Sequence, residues 1–201
     1  MNAMTIPGVE HVRQLKWCWC GPAAAEVILA WQQKRQPLPT LAQQGNLWES
    51  IKSHTSTQYE AANPDACCAA FDGQRYAYVG QDLCEWWTYP TALRDALKSL
   101  CPVTFSAFSR DDAGAFVSLL KKSILDENAA PVAVLYLGWQ HWIVVYGVGL
   151  VDGEVEEFYV RDSDSDLPFK AIPIGEFMAE LLPVPAEGPY LDRIAGVFPQ
   201  P

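Results

Sequence analysis

The order of the periodic segments along the 201 residues is the feature that most constrains the fold. Helical patterns dominate the first half, whereas short apolar runs separated by turn signals dominate the second half. Strands that follow one another through short turns pair antiparallel, and this order differs from the βαβ alternation of a doubly wound sheet. The sequence therefore predicts an α+β fold, with a helical part at about 1–100 packed on an antiparallel sheet at about 101–201.

Individual elements can be assigned from apolar spacing and from glycine and proline positions. The predicted helices cover 21–33, a segment that begins at the N-cap Thr40, 91–100, 111–125 and 174–182. The predicted strands cover 103–108, 131–137, 141–148, 155–160, 169–174 and 194–198. Residues 54–87 read as one long irregular segment, and such segments in compact domains are often functional.

Composition limits the classes of protein and partner. With 50% hydrophobic and 12% aromatic residues, and with no repeat or long linker, residues 1–201 are expected to form a single domain. The net charge of −10 argues against nucleic acid and anionic membranes as partners. No apolar run approaches the ~20 residues that span a bilayer, and residues 1–10 lack a secretory signal pattern. We therefore expect synthesis in the cytoplasm.

A cysteine lies at the head of the first predicted helix. The segment Cys20-Gly21-Pro22-Ala23-Ala24 opens a helix that is apolar nearly all round and so should be buried. Pro22 suits the first turn, where its missing N–H has no intrahelical acceptor in any case. Because unpaired N–H groups and the helix dipole favour negative charge there, the thiolate form of Cys20 is favoured, and a thiolate is a nucleophile.

A cysteine nucleophile also needs an imidazole, and the chain has three histidines. His141 is the best placed, because it opens the apolar run 141–148 and can face a cleft from a rigid strand. Asp162 ends the next strand, where a hairpin partner can hold the His141 ring in one tautomer. His11 and His54 read as solvated loop residues.

Taken together, these residues resemble the papain-like cysteine peptidases of bacteria, especially the branch of the bacteriocin leader peptidases. The matching features are Gln14 six residues before the Cys-Gly-Pro-Ala segment, the His-Trp-Ile-Val-Val strand from His141, and Asp162 at a strand end. The resemblance implies attack by Cys20 on a peptide carbonyl, with His141 as proton carrier and Asp162 orienting it. It also implies an oxyanion held by the Gln14 side chain and the Cys20 backbone N–H, with no metal or organic cofactor.

A second resemblance proposes a different nucleophile. Trp17-Cys18-Trp19, together with the adjacent Cys67 and Cys68, is similar to the staphopain-like and plant-pathogen effector peptidases. With Cys18 at the helix start, Pro22 would lie inside the helix at a cost of ~3 kcal/mol, so helix geometry favours Cys20. The effector resemblance makes a disulfide from the Cys67-Cys68 pair to Cys84 or Cys101 worth testing.

Other polar clusters have simpler interpretations. Residues 162–166 begin like a calcium loop, but Leu167 stands where glycine is needed, so a solvated turn is expected, with Asp164 as the reserve carboxylate. No CxxC pair is present, which argues against a structural zinc site. Trp139 and Trp142 flank the proposed base and are expected to pack in the core and to line the cleft.

The predicted function is a cysteine endopeptidase that acts on a protein or peptide. Three settings fit: a leader peptidase, a general peptidase, or an effector toxin that is secreted or delivered into another cell and restrained by an immunity protein in its producer. The self-contained form and the effector-like motifs favour the effector. Two other classes stay open: a glutamine deamidase or transglutaminase-type enzyme using the same residues, and a binding module without activity.

Overall fold

The structure is a computed structural model that describes residues 1–15, 19–55, 90–109, 113–126, 129–136, 141–167, 169–181 and 193–199. Its strands form one sheet in which every pairing is antiparallel. They are β1 (Asn2–Thr5), β2 (Val103–Ser109), β3 (Val132–Tyr136), β4 (His141–Val151), β5 (Glu154–Asp162), β6 (Lys170–Pro173) and β7 (Arg193–Pro199). The strand order is β2-β7-β3-β4-β5-β6, and β1 also pairs with β4.

Strand β4 is the centre of the sheet. Its first half pairs with β3, from Tyr136 opposite His141 onwards, and its second half pairs with β1, where Thr5 lies opposite Gly147. Strand β5 runs along the other edge of β4 for most of its length. Strand β4 also packs against two helices, Cys20–Gln32 and Ala113–Leu125. Its first nine residues are buried, and burial of both faces explains the continuous apolar run in the sequence.

The described part of the chain contains the helices α1 (Cys20–Gln32), α2 (Leu41–Thr55), α3 (Pro90–Lys98), α4 (Ala113–Leu125) and α5 (Ile174–Leu181). Helix α1 packs on β3, β4, α2 and α3, and ten consecutive residues from Gly21 to Ala30 are buried. Burial on all sides explains why the helix has no polar face. None of the helices that the structure describes is long and apolar enough to cross a membrane.

One charged group, Glu26, is completely buried in α1. Its carboxylate accepts two hydrogen bonds from Arg35, at 2.6 and 3.1 Å, one from the Leu38 backbone N–H at 2.6 Å, and one from Gln43 at 2.8 Å. A buried carboxylate is tolerated only when its lone pairs are satisfied in this way. Glu26 therefore ties the end of α1 to the connection with α2.

The α+β prediction is confirmed, and each predicted helix and strand has a counterpart within a few residues. Thr40 caps α2, since its hydroxyl accepts a hydrogen bond from the Gln43 N–H at 3.1 Å.

Strand β1 was not predicted. It brings the start of the chain into the sheet, so the division into a helical part and a sheet part near residue 100 is wrong for residues 2–5. The long segment predicted at 54–87 lies almost wholly outside the described residues.

Candidate active site

The side chain of Cys20 projects from the first residue of α1. Trp19 precedes it as the buried N-cap, and the first helical hydrogen bond joins the Ala23 N–H to the Trp19 carbonyl at 3.0 Å. Pro22 is the third helical residue, where it removes no helical hydrogen bond. The N–H groups of Cys20 and Gly21 have no acceptor within the helix, so they can bind negative charge at the helix end.

His141 and Asp162 come from neighbouring antiparallel strands. His141 is the first residue of β4 and Asp162 the last of β5, and Asp162 lies opposite Ile143. Since strand side chains alternate, His141 and Ile143 point to the same face as Asp162. His141 Nε2 lies 2.7 Å from Asp162 Oδ1, and both residues are 8% exposed. The pairing of β4 with β5 therefore brings together two residues that lie 21 positions apart in the chain.

The Asp162 carboxylate has two further donors. The Asp164 backbone N–H donates to Oδ1 at 3.1 Å, and Lys170 Nζ lies 3.3 Å from Oδ2. Burial acts to raise the pKa of Asp162, but the hydrogen bond from His141, the charges of His141 and Lys170 and the Asp164 N–H hold it well below its usual range. Asp162 is therefore ionised when it faces the imidazole.

The pKa of His141 is shifted upwards, in the opposite direction to that of Asp162. Burial acts to lower its pKa, but hydrogen bonding to Asp162 and to Cys20, together with the charges of both residues, raises the pKa of His141 to about 10. Since Nε2 is bonded to Asp162, Nδ1 is the ring nitrogen that can exchange a proton with the Cys20 sulfur. The Asp162 carboxylate and the Cys20 side chain therefore both act on the His141 ring, and both favour its protonated form.

Gln14 lies beside the turn that follows Asp162. Its backbone N–H donates to the Ser163 carbonyl at 2.9 Å, and its side-chain Oε1 accepts from the Ser163 hydroxyl at 3.0 Å. Its Nε2 donates to Asp164 Oδ1 at 3.4 Å. Gln14 and Asp162 therefore belong to one hydrogen-bonded region of the molecule, although 148 positions separate them in the sequence.

The structure also locates three of the four residues that the sequence offered as alternatives to Cys20, His141 and Asp162. Asp164, the reserve carboxylate, binds Gln14 and donates its N–H to Asp162, whereas Asp162 is the residue bonded to His141. His11 is not a simple solvated loop residue, because its Nε2 lies 3.0 Å from the Asp162 backbone oxygen and the residue is half-buried. His54 is in α2, so its assignment to an irregular loop is wrong. Cys18, the rival nucleophile, lies outside the described residues.

The sequence expectations about the tryptophans and the other cysteines involve residues of which the structure describes only some. Trp142 is buried, while Trp139 lies outside the described residues. Cys101 is a buried free thiol whose pKa is raised by burial, and Cys67, Cys68 and Cys84 are also outside the described part of the chain. Within the residues that the structure covers, no three His, Cys, Asp or Glu side chains are grouped to hold a metal ion.

Ser163, Lys170 and Gln44 at the site were not singled out from the sequence, and neither was the role of the Asp164 backbone N–H. Ser163 and the Asp164 N–H belong to a turn in which Asp162 Oδ1 caps the backbone two residues on, and this Asx-turn pattern could have indicated them. Lys170 and Gln44 reach the site from β6 and α2, and no local sequence signal marks a contact made over such separations.

Comparison with solved structures supports the fold. The comparisons with family models and with curated proteins found no match to the chain. Among solved structures, a C39-like peptidase from Bacillus anthracis has a TM-score of 0.58 at 13% identity, covering 100% of this chain and 99% of that one. The peptidase domain of Streptococcus ComA, a bifunctional ABC transporter of a quorum-sensing pathway, has a TM-score of 0.52 at 17% identity, covering 96% and 99%. UfSP from C. elegans has a TM-score of 0.54 at 15% identity, covering 100% of this chain and 34% of that one.

These similarities define the class of fold. The described residues have the α+β architecture of the papain-like cysteine peptidases, and two of the three structures cited match along nearly their whole length. The predicted papain-like fold is thus supported, and the narrower resemblance to the bacteriocin leader peptidases stays a prediction. The resemblance to staphopain-like and effector peptidases stays a prediction.

Proposed function

We propose that this protein is a cysteine peptidase whose nucleophile is Cys20, with His141 as the proton carrier and Asp162 as the residue that orients it. The observation that supports the proposal most directly is the pair of contacts on the His141 ring. Asp162 is bonded to it at 2.7 Å, and the Cys20 side chain raises the pKa of the same imidazole through hydrogen bonding and charge. Buried side chains whose pKa values are shifted by specific charged partners are typical of catalytic sites.

The arrangement of Cys20, His141 and Asp162 supports acyl transfer in two steps. In the first, the Cys20 sulfur attacks the peptide carbonyl carbon, and the His141 imidazolium gives its proton to the departing amine, so the peptide C–N bond breaks as the thioester forms. In the second, His141 accepts a proton from water, the hydroxyl adds to the thioester, and the thiolate leaves. Asp162 keeps the imidazole in one orientation and stabilises its positive form throughout.

Stabilisation of the oxyanion is assigned to two donors. The Cys20 backbone N–H has no acceptor inside α1, and the Gln14 side-chain amide is the second donor that the resemblance implies. Removing one such donor typically lowers kcat by about 10²- to 10³-fold. The assignment of Gln14 is supported by its place beside the residues that follow Asp162.

The substrate class that fits best is a peptide or an extended protein segment. The finer proposal is processing of a leader peptide, which follows the resemblance of the Cys20, His141 and Asp162 motifs to the bacteriocin leader peptidases. The fold shared with the peptidase domain of Streptococcus ComA supports only the peptidase part of this proposal. The setting of a delivered effector with an immunity protein stays a separate prediction, for which toxicity on expression that disappears in Cys20→Ala is the expected result.

The test uses a bacterial lysate and a peptide library incubated with wild-type protein, Cys20→Ala and Cys18→Ala, followed by mass spectrometry of new termini. We expect new termini with wild type and Cys18→Ala and none with Cys20→Ala. The two cysteine variants are a matched pair, because they make the same substitution two positions apart. The same experiment identifies any leader-like substrate by the sequence around its cleavage point.

The possible outcomes separate the competing hypotheses. Activity lost in Cys18→Ala and kept in Cys20→Ala would transfer the nucleophile to Cys18. Mass increases of about one dalton on glutamine, without new termini, would replace the peptidase with a deamidase. An epoxysuccinyl peptide probe that fails to label folded wild-type protein at Cys20 would favour a binding module.

A further inference from the structure

The side-chain amide of Gln14 is held at both of its polar atoms by consecutive residues. The Ser163 hydroxyl donates to Oε1 at 3.0 Å, and Asp164 Oδ1 accepts from Nε2 at 3.4 Å. The same turn places Asp162 against His141. Three consecutive residues thus contact both the base and the side chain assigned to oxyanion binding.

The two neighbours fix which way the amide faces. The Asp164 carboxylate has only acceptor atoms, so the amide group that faces it must be the NH2 group. The Ser163 hydroxyl can donate or accept, and facing Oε1 it donates. Donation to Oε1 also polarises the amide and strengthens its N–H groups as donors.

The backbone on either side of Gln14 is also fixed. The Gln14 N–H is bonded to the Ser163 carbonyl, so Ser163 contacts Gln14 twice. Gln44, fully buried in α2, donates from Nε2 to the Arg13 carbonyl at 2.8 Å and accepts the Leu15 N–H on Oε1 at 3.0 Å. The residues before and after Gln14 are therefore attached to the helical layer, which leaves the side-chain amide as the part whose orientation Ser163 controls.

From these contacts we infer that Ser163 is a positioning residue for oxyanion binding: its buried hydroxyl binds Oε1, and so it orients and polarises the Gln14 amide and fixes Nε2 as the donor end. Ser163 is only 4% exposed, so solvent cannot replace its hydrogen bond. The inference rests on the proposed peptidase activity, and it adds a role to a residue other than Cys20, His141 and Asp162.

The test measures kcat and KM for cleavage of the best peptide found in the lysate experiment. We expect Gln14→Ala to lower kcat by about 10²-fold, and Ser163→Ala to lower it by about tenfold, with KM changed less than about twofold, because the lost interaction acts on the transition state. In the Gln14→Ala background, Ser163→Ala should cause no further loss, since Ser163 acts only through Gln14. Ser165→Ala removes a hydroxyl in the same turn that accepts the Leu167 N–H, and it should retain wild-type kcat.

A second pair keeps the test decisive if Ser163→Ala unfolds. Ser163→Thr and Ser163→Val have nearly the same shape and differ in the hydroxyl, so Thr should retain most of kcat and Val should lose about tenfold. Equal kcat in the two variants, or a Ser163→Ala effect that persists undiminished in Gln14→Ala, would overturn the role of Ser163. Unchanged kcat in Gln14→Ala would also overturn it. Cleavage that survives in Cys20→Ala would instead contradict the proposed function.

Discussion

At the scale of single residues, the site is organised by Asp162. One oxygen of its carboxylate receives the His141 ring and the Asp164 N–H, the other faces Lys170, and its backbone oxygen binds His11. These contacts fix the carboxylate in position and in its ionised form. A neutral replacement of the same shape therefore tests charge separately from hydrogen bonding.

We predict that Asp162→Asn lowers the pKa of His141, because Asn still accepts a hydrogen bond from Nε2 but carries no negative charge. Activity that needs imidazolium is lost as pH rises through the pKa of His141, which is about 10 in the wild type. The alkaline limb of a kcat/KM profile should therefore move to lower pH in Asp162→Asn.

The matched control is Asp166→Asn, which removes a negative charge four residues away, where an exposed carboxylate pairs with Arg13. Its alkaline limb should coincide with that of the wild type. If Asp162→Asn left the alkaline limb in place, the charge of Asp162 would not be what holds the imidazole protonated.

At the scale of elements, β4 is the strand on which the site depends, and Gly147 is where three strands meet most closely. A Cβ at Gly147 would lie 2.8 Å from Met4 O, from Thr5 Cγ2 and from Tyr159 Cδ2. Glycine is needed here for close approach, because β1 and β5 flank β4 at this position. The same β1 leads directly into residues 6–15, which carry Gln14.

We predict that Gly147→Ala lowers the free energy of unfolding by about 1–3 kcal/mol, since a backbone oxygen cannot move aside without displacing β1. Urea unfolding of wild type and variant gives the difference. The control is Gly114→Ala in α4, where nothing lies within 4 Å of the added Cβ, and alanine should stabilise that helix by up to ~1 kcal/mol. Equal stability of Gly147→Ala and wild type would mean that β1 is not seated against β4 as described.

At the scale of the whole molecule, the site couples folding to pH. The pKa of Asp162 is lower in the folded state than its ordinary 3.8, so its contribution to stability is present above that value and is lost as pH falls through the folded pKa. The pKa of His141 is raised from 6.5 to about 10, so its contribution is complete below 6.5 and is lost as pH rises towards 10. The pair therefore stabilises the fold most between about pH 4 and pH 6.5.

We predict that the stability difference between wild type and His141→Gln is largest near pH 5.5 and shrinks towards pH 9.5. Glutamine has no titrating group, so the difference contains the titration of His141 together with its effects on its partners Asp162 and Cys20. Urea unfolding at several pH values measures it, and the remaining carboxylates cancel because both proteins contain them. A difference that stays constant over this range would contradict the raised pKa of His141.

The sequence by itself determined the elements and the candidates. Apolar spacing gave the α+β order, Pro22 fixed where α1 begins, and three histidines limited the choice of base, because these signals are local and follow from backbone geometry. The tertiary structure decided the rest. The β4–β5 register brought Asp162 rather than Asp164 to His141, and the path of residues 9–15 brought Gln14 to Ser163. Such contacts depend on which strands and loops become neighbours, and that is decided by packing over the whole chain, which local periodicity does not encode.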